Sequence, residues 1–268
     1  MFSVLILTLN EERSLPRCLA SVRECTDVVV LDSGSTDRTV EIARAAGARV
    51  YARPFDNFAG QRNYAQREIP FHHHWVFHLD ADEQMTPELR AECRGRMKDE
   101  VDGFLVAPKM MFQGRWIPHC TDFPAYQARL VRAPQFGFIQ VGHGQREAPA
   151  MKLGRLHSSY LHDLSAGGEA EWLDKHRRYA RDEAAAYLQS GSGVAWGDLF
   201  SPERLRRRRA LKRLSYSLPC RPALRFFYQY ILRLGFLDGR PGLRYCQLLA
   251  EYERMAATEL RAQRRARS

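Results

Sequence analysis

The chain has 268 residues, 45% of them hydrophobic and 27% charged, an ordinary balance for a globular protein with room for a substantial core. No apolar run reaches the roughly 20 residues that span a bilayer, and the six cysteines are scattered without a CxxC pair or metal-ligand spacing, which favours reduced structural thiols over a disulfide framework. The net charge of +10 is unevenly placed, with acidic motifs in the first third and arginines crowding the last.

Residues 2–9 form an apolar run that reads as a first strand. It lacks a basic n-region and a small-residue cleavage site, and it runs straight into Asn10-Glu11-Glu12, so a secretory leader is not expected. Leu15, Leu19 and Val22 recur at helical spacing within 11–22, with Pro16 near the start. Residues 28–31 make a second strand, 37–46 a helix stopped by Gly47, and 48–51 a short third strand. A helix is expected over 57–67, a fourth strand over 75–79, and a helix over 87–97 with Thr86 as N-cap and Pro87 at its first position. Such repeated strand–helix–strand units predict an α/β fold whose mostly parallel sheet is covered on both faces. From Gly103 the character changes, with strands at 103–107 and 128–132 broken by Pro and Gly turns. A long helix follows over 169–189, and Gly191-Ser192-Gly193 marks a linker. The expected organisation is an α/β domain over 1–190 and a basic helical extension over 191–268.

In an open α/β sheet, ligands bind beyond the carboxyl ends of the strands. Two acidic motifs fall there, and neither contains a Lys or Arg between its acids and the strand. In Asp80-Ala81-Asp82 the carboxylates are one residue apart, so on an extended segment they point to the same side and can hold one Mg²⁺ or Mn²⁺ against diphosphate oxygens. A solvated loop after a strand carries the same residues by chance, so this motif alone is weak. Asp32-Ser33-Gly34-Ser35-Thr36-Asp37 is more specific: Asp32 can accept from a base or ribose hydroxyl, Gly34 permits close backbone approach, and Ser35 or Thr36 can cap the next helix. Its bland reading is a tight, capped turn. Thr8-Leu9-Asn10-Glu11-Glu12 ends the first strand in the same way. His72-His73-His74 follows Pro70 and precedes a strand, and reads as a polar connection rather than a metal site. Trp116 and Trp172 can stack on sugar faces, with packing as the default for both.

Thr8-Leu-Asn-Glu-Glu12, Leu31-Asp-Ser-Gly-Ser-Thr-Asp37 and Leu79-Asp-Ala-Asp-Glu83, in this order, resemble the family 2 inverting glycosyltransferases of GT-A fold. Phe58-Ala-Gly-Gln-Arg-Asn-Tyr-Ala65 is similar to a segment of the subgroup that extends lipopolysaccharide cores and exopolysaccharides. The resemblance is strong over about 1–100 and fainter beyond. It implies a GT-A, Rossmann-like sheet flanked by helices and a nucleotide-sugar donor, UDP-linked, bound with Mn²⁺ or Mg²⁺. It implies that Asn10, Glu11 and Asp32 line the uracil and ribose, that Asp80 and Asp82 are the DxD pair with Asp82 nearer the metal, and that His162 completes the metal coordination. Glu147, in Val141-Gly-His-Gly-Gln-Arg-Glu147, takes the place of the catalytic base, although Gly144-Gln145-Arg146 interrupts the usual His-Glu pairing. Inversion needs such a base opposite the leaving diphosphate, to take the acceptor hydroxyl's proton in one displacement. An ion pair with Arg146 is the bland reading of Glu147, and Asp163 is a rival base.

Towards the end, the arginine run of 204–213 and the aromatic, arginine-bearing stretch of 218–236 suit an amphipathic segment on an anionic membrane surface. The resemblance implies a lipid-linked or glycan acceptor and a cytoplasmic, peripheral location at the inner membrane face. The charge alone also fits nucleic acid, but no nucleic-acid motif is present. A sugar-1-phosphate nucleotidyltransferase would need a glycine-rich loop where Thr8-Leu9-Asn10-Glu11 stands. A haloacid-dehalogenase-type phosphatase would need Thr or Val where Gln84 stands. A non-enzymatic membrane-surface adaptor explains the tail but not the acidic strand ends.

Overall fold

The structure, a computed structural model, describes residues 1–141, 144–189, 196–203, 206–207, 210–211, 214, 216 and 220–266. Two compact units are present, one of Met1–Trp116 with Asp122–Ala166 and the other of Ile117–Thr121 with Gly167–Ser268. The linker expected at 191–193 lies outside the described residues. The long helix expected to close the first domain instead belongs to the second unit, because its apolar face packs on the C-terminal helix through Ala184, Tyr187 and Leu260.

The first unit is built on β1 (Ser3–Thr8), β2 (Val28–Asp32), β3 (Arg49–Ala52) and β4 (Trp75–Asp80). Its sheet continues through β6 (Gly103–Val106), β9 (Gln127–Arg132) and β12 (Leu153–Arg155), in the order β12-β6-β9-β4-β1-β2-β3. All neighbours are parallel except β9, which runs antiparallel to both β4 and β6. Side-chain alternation sends Val4, Ile6, Val30, Phe77 and Leu79 into one core, and Leu5, Leu7, Val29, Leu31 and Val76 into another on the opposite face. Helices α1 (Leu15–Ser21), α2 (Thr39–Ala45) and α4 (Pro87–Arg96) supply apolar residues to the first core, and α3 (Phe58–Glu68) covers the second with Ala65.

Helix starts follow local hydrogen bonding. Asn57 caps α3 by accepting from Gly60 N at 2.7 Å, and Thr86 caps α4 by accepting from Leu89 N at 3.2 Å. Two starts come later than the periodicity predicts. The first helix opens at Leu15, not Glu11, because the N–H groups of residues 10–12 donate to side chains of the loop after β2 and of Thr39 at the start of α2. The second opens at Thr39, with Asp37 rather than Ser35 or Thr36 accepting from Thr39 N at 2.9 Å.

A smaller sheet of β5 (Glu83–Gln84), β7 (Pro108–Phe112), β8 (Arg115–Trp116) and β13 (Tyr160–Asp163) is ordered β5-β13-β7-β8, and β10 (Phe138–Val141) and β11 (Gly144–Glu147) form an antiparallel hairpin. The smaller sheet starts just past the carboxyl end of β4, where β5 follows, and the hairpin packs on α3 through Asn63 and Ala59.

The second unit holds α5 (Gly168–Gln189), α6 (Trp196–Leu199), α7 (Arg221–Phe227), a π-helical turn at Tyr228–Leu232, a 3-10 turn at Gly235–Asp238 and α8 (Gly239–Arg265). Buried Arg221 pairs with Glu253 at 2.5 Å, its guanidinium 3.7 Å from the centre of the Tyr216 ring. Among the described residues, no helix is long and apolar enough to cross a membrane.

Candidate active site

The mouth of the first unit is set by the loops after β1 and β2. Asp32 ends β2 with only 3% of its surface exposed. Its carboxylate accepts from Thr8 Oγ1 at 2.9 Å, Gly34 N at 2.9 Å, Ser35 N at 2.8 Å and Ser35 Oγ at 2.5 Å. Burial would raise its pKa, but the bonds from Ser35, Thr8 and Gly34 outweigh it and hold the carboxyl below the usual range. Asp32 thus organises the turn, and Gly34 sits there at φ +99°, a conformation strained for any residue with a Cβ. The same loop is stapled to the end of β1. Asn10 N donates to Ser35 Oγ at 2.8 Å, Asn10 Oδ1 accepts from Thr36 N at 2.8 Å, and Glu11 N donates to Thr39 Oγ1 at 2.7 Å. Asn10 is left exposed and Glu11 half-buried at the rim.

The Asp80-Ala81-Asp82 segment is not extended as expected: β4 ends at Asp80, and the chain turns through Ala81 and Asp82 before β5. The two carboxylates therefore serve different partners. Asp80 receives Arg62 Nη2 at 2.7 Å and Arg129 Nη2 at 3.3 Å, from α3 and β9. Arg129 also donates to Glu83 Oε1 at 2.5 Å, to the His78 carbonyl at 3.3 Å and to the Tyr160 hydroxyl at 3.1 Å. Burial acts against ionisation of Asp80, yet the two guanidiniums hold it well below the usual carboxylate range. At the wholly buried Glu83, burial wins over Arg129 and lifts the carboxyl to about 7. The cations that balance this motif come from elsewhere in the chain.

Asp82 Oδ2 lies 3.3 Å from His162 Nε2, and the other ring nitrogen of His162 lies 3.7 Å from Glu83 Oε1. The antiparallel pairing of β13 with β5 sets this meeting, placing His162 opposite Glu83, and Asp163 N donates to the Asp82 carbonyl at 3.2 Å. Burial would lower the pKa of His162, but the hydrogen bond and charge of Asp82, with Glu83 and Asp80 behind, raise it to about 9. Two ligands at about 2.1 Å and right angles on a Mg²⁺ lie about 3 Å apart, so a carboxylate oxygen and an imidazole nitrogen separated by 3.3 Å fit a shared divalent cation. Among the described residues, no group of three or more His, Cys, Asp or Glu is placed to hold a metal.

Glu147 is half-buried at the end of β11, opposite Phe138. Its hairpin is tied to α3 by a two-way bond, Asn63 Nδ2 to the Phe138 carbonyl at 2.8 Å and Phe138 N to Asn63 Oδ1 at 2.9 Å. Among the described residues, Glu147 has no ion pair with Arg146 and no bond to the acidic cluster. Asp163 is engaged, receiving Arg17 at 3.0 Å and Ser165 Oγ at 2.8 Å. The histidine run belongs to the far end of the sheet, where His72 N donates to Asp27 at 2.9 Å. Trp172 is buried and stacked on His176, whereas Trp116 is partly exposed beside Phe123. The residues that sequence reasoning missed are Arg62 and Arg129. Arg129 left a faint signal, a lone arginine among apolar neighbours in Ala128-Arg129-Leu130-Val131, whereas Arg62, between Gln61 and Asn63, left none.

The chain is 35% identical over 112 residues to the lipopolysaccharide core biosynthesis glycosyltransferase LpsC of Rhizobium meliloti, a match covering 39% of this chain and 41% of that protein. It is 41% identical over 91 residues to an uncharacterized glycosyltransferase of Rickettsia typhi, covering 34% and 30%. The chain thus spans about a third of the length of such relatives. Among solved structures, S. aureus TarS aligns over 99% of this chain and 91% of its own at 16% identity and TM-score 0.44. Glucosyl-3-phosphoglycerate synthase from Mycobacterium tuberculosis, in complex with Mn²⁺, UDP-glucose and phosphoglyceric acid, aligns over 41% and 44% at 25% identity and TM-score 0.35. The sequence signature described as Glycosyl transferase family 2 matches residues 3–138, half of the chain, and the chain belongs to that family.

Proposed function

We propose that this chain is an inverting glycosyltransferase that moves a sugar from a UDP-linked donor to a lipid-linked glycan of the cell envelope, working at the inner face of the cytoplasmic membrane. One observation carries the reading: Asp82 and His162, far apart in sequence, meet at 3.3 Å where the strands end. Family membership and the stretch shared with LpsC support the sugar-transfer and envelope parts of it. Asn10 and Glu11 would line the nucleoside on a floor organised by Asp32. Asp82 and His162 would hold Mn²⁺ or Mg²⁺, which when bound neutralises charge on the departing diphosphate. Asp80 would act through Arg62 and Arg129, fixing two cations beside that charge.

Glu147 is the better base because its carboxylate has no competing partner among the described residues, whereas Arg17 and Ser165 already occupy Asp163. It would take the acceptor hydroxyl's proton as that oxygen attacks the anomeric carbon and the nucleoside diphosphate leaves. The test is UDP release from a panel of UDP-sugars with Mn²⁺ and an envelope lipid extract as acceptor. Asp82→Asn and His162→Ala should each lower turnover by about 100-fold or more, a scale typical of lost electrostatic stabilisation. Glu147→Gln should lower kcat by about 10²–10⁴-fold and leave UDP binding intact, while Asp163→Asn should retain most activity. Full turnover in Asp82→Asn would overturn the metal assignment, and the reverse order of Glu147→Gln and Asp163→Asn would exchange the base.

A further inference from the structure

Residues 224–237 present a surface with its polarity turned inside out. Phe227, Ile231, Leu232, Leu234, Phe236 and Leu237 are between 41% and 63% exposed. Two polar residues of the same region turn inward and are used. Gln229 donates its amide to the Cys120 carbonyl, and Arg233 donates to the Thr121 carbonyl at 2.7 Å. Buried Asp238 accepts from His119 N at 3.0 Å, Cys120 N at 2.8 Å and the His119 ring at 2.7 Å. Gly235 lies so close to Cys120 that a Cβ there would come within 2.8 Å of its Sγ. The segment is thus pinned from beneath by polar bonds while its large apolar side chains face outward. An apolar ridge held in this way has the character of an interaction surface rather than of scattered surface leucines.

We infer that this ridge is a preformed wedge that enters the headgroup and upper acyl region of an anionic bilayer. The inference rests on the membrane placement proposed above and gives it to one element, the stretch from α7 through the 3-10 turn, rather than to the arginine run. Charge selects the occupant. Residues 217–237 contain Arg221, Arg225 and Arg233 and no Asp or Glu. Arg225 at the ridge and exposed Arg240 just beyond it have no ion-pair partner among the described residues. A second copy docked ridge to ridge would face these arginines with themselves, without a carboxylate to relieve them. An anionic lipid surface meets both features, apolar side chains inserting and arginines remaining at phosphate depth. The cavity of about 360 Å³ elsewhere in this unit, between α5, α7 and α8, is a poorer anion site, because Arg177, Arg244 and Arg254 at its rim already pair with Asp174, Glu169 and Glu251.

The test is flotation of the whole chain with vesicles of phosphatidylcholine alone or mixed with phosphatidylglycerol, alongside UDP release and sedimentation equilibrium. Wild type should float with the mixed vesicles. Phe227→Glu with Leu232→Glu should weaken that binding by about tenfold or more, and Arg225→Glu with Arg240→Glu should abolish the preference for the anionic lipid. All four positions lie outside the proposed catalytic residues, so UDP release and circular dichroism should stay at wild-type level. Equal flotation of wild type and the Phe227/Leu232 variant would overturn the ridge while leaving membrane binding in place. Absence of flotation by wild type would overturn both, with sugar transfer judged separately by UDP release. Self-association that the same variant abolishes, without flotation, would identify a second copy as the occupant and overturn the proposal.

Discussion

Arg129 reaches Asp80, Glu83, the His78 carbonyl and the Tyr160 hydroxyl from a position only 2% exposed. Removing it would leave two carboxylates in the interior with less opposing charge. Arg129→Met is expected to cost about 3–5 kcal/mol of stability in urea unfolding, and Arg129→Lys to recover part of that by keeping the charge without the fork. At the far end of the sheet, Asp27 is buried and accepts from Ser3 Oγ at 2.5 Å, Arg49 at 2.7 Å and His72 N at 2.9 Å. Burial opposes ionisation there, but these partners outweigh it and lower its pKa. A depressed folded pKa means that the unfolded chain binds the proton first as pH falls. The stabilisation is therefore complete above the ordinary aspartate pKa of about 4 and is lost as pH drops towards the folded value. Asp27→Asn should flatten this acid limb in a series of melts and lower stability at neutral pH by about 2 kcal/mol. Asp82 and His162 were legible in the sequence because each sits in a short linear motif with a recognisable family pattern. Arg62 and Arg129 were not, since they reach Asp80 from 18 and 49 residues away and only the fold brings them there.

Among the elements, strands ending in carboxylates were readable from their apolar, β-branched runs, and α3 and α4 from their caps. The late starts of α1 and α2 were not readable, because they depend on backbone N–H groups of one loop finding side chains of another. The β10–β11 hairpin was missed for a related reason: Gln140, Val141, Gly144 and Gln145 carry no strong strand pattern, and the pairing is held partly by Asn63 on α3. Asn63→Ala removes both amide bonds to Phe138 and should lower stability by about 1–2 kcal/mol. The expected signature is faster amide exchange in 138–141 and 144–147 while β1 and β4 remain protected. If Glu147 is the base, the same variant should depress kcat more than UDP affinity.

For the whole molecule, the sequence indicated a basic helical extension but set its start near 191, whereas the compact units part at Ala166 and Gly167. Composition marks glycine-rich linkers and says nothing of which unit a long helix packs with. Nor could it reveal that Ile117–Thr121 leaves the first unit to join the second. That excursion has a consequence in time. His119, Cys120 and Thr121 find their hydrogen-bond partners at Gln229, Arg233 and Asp238, between 109 and 119 residues further along. At roughly 5–20 residues per second of synthesis, the segment waits about 5–25 s for them. A nascent chain halted before residue 238 should therefore be cut readily by protease within 117–121, and one released past it should resist, so the sheet that carries the acidic cluster is made early but its connecting loop is secured last.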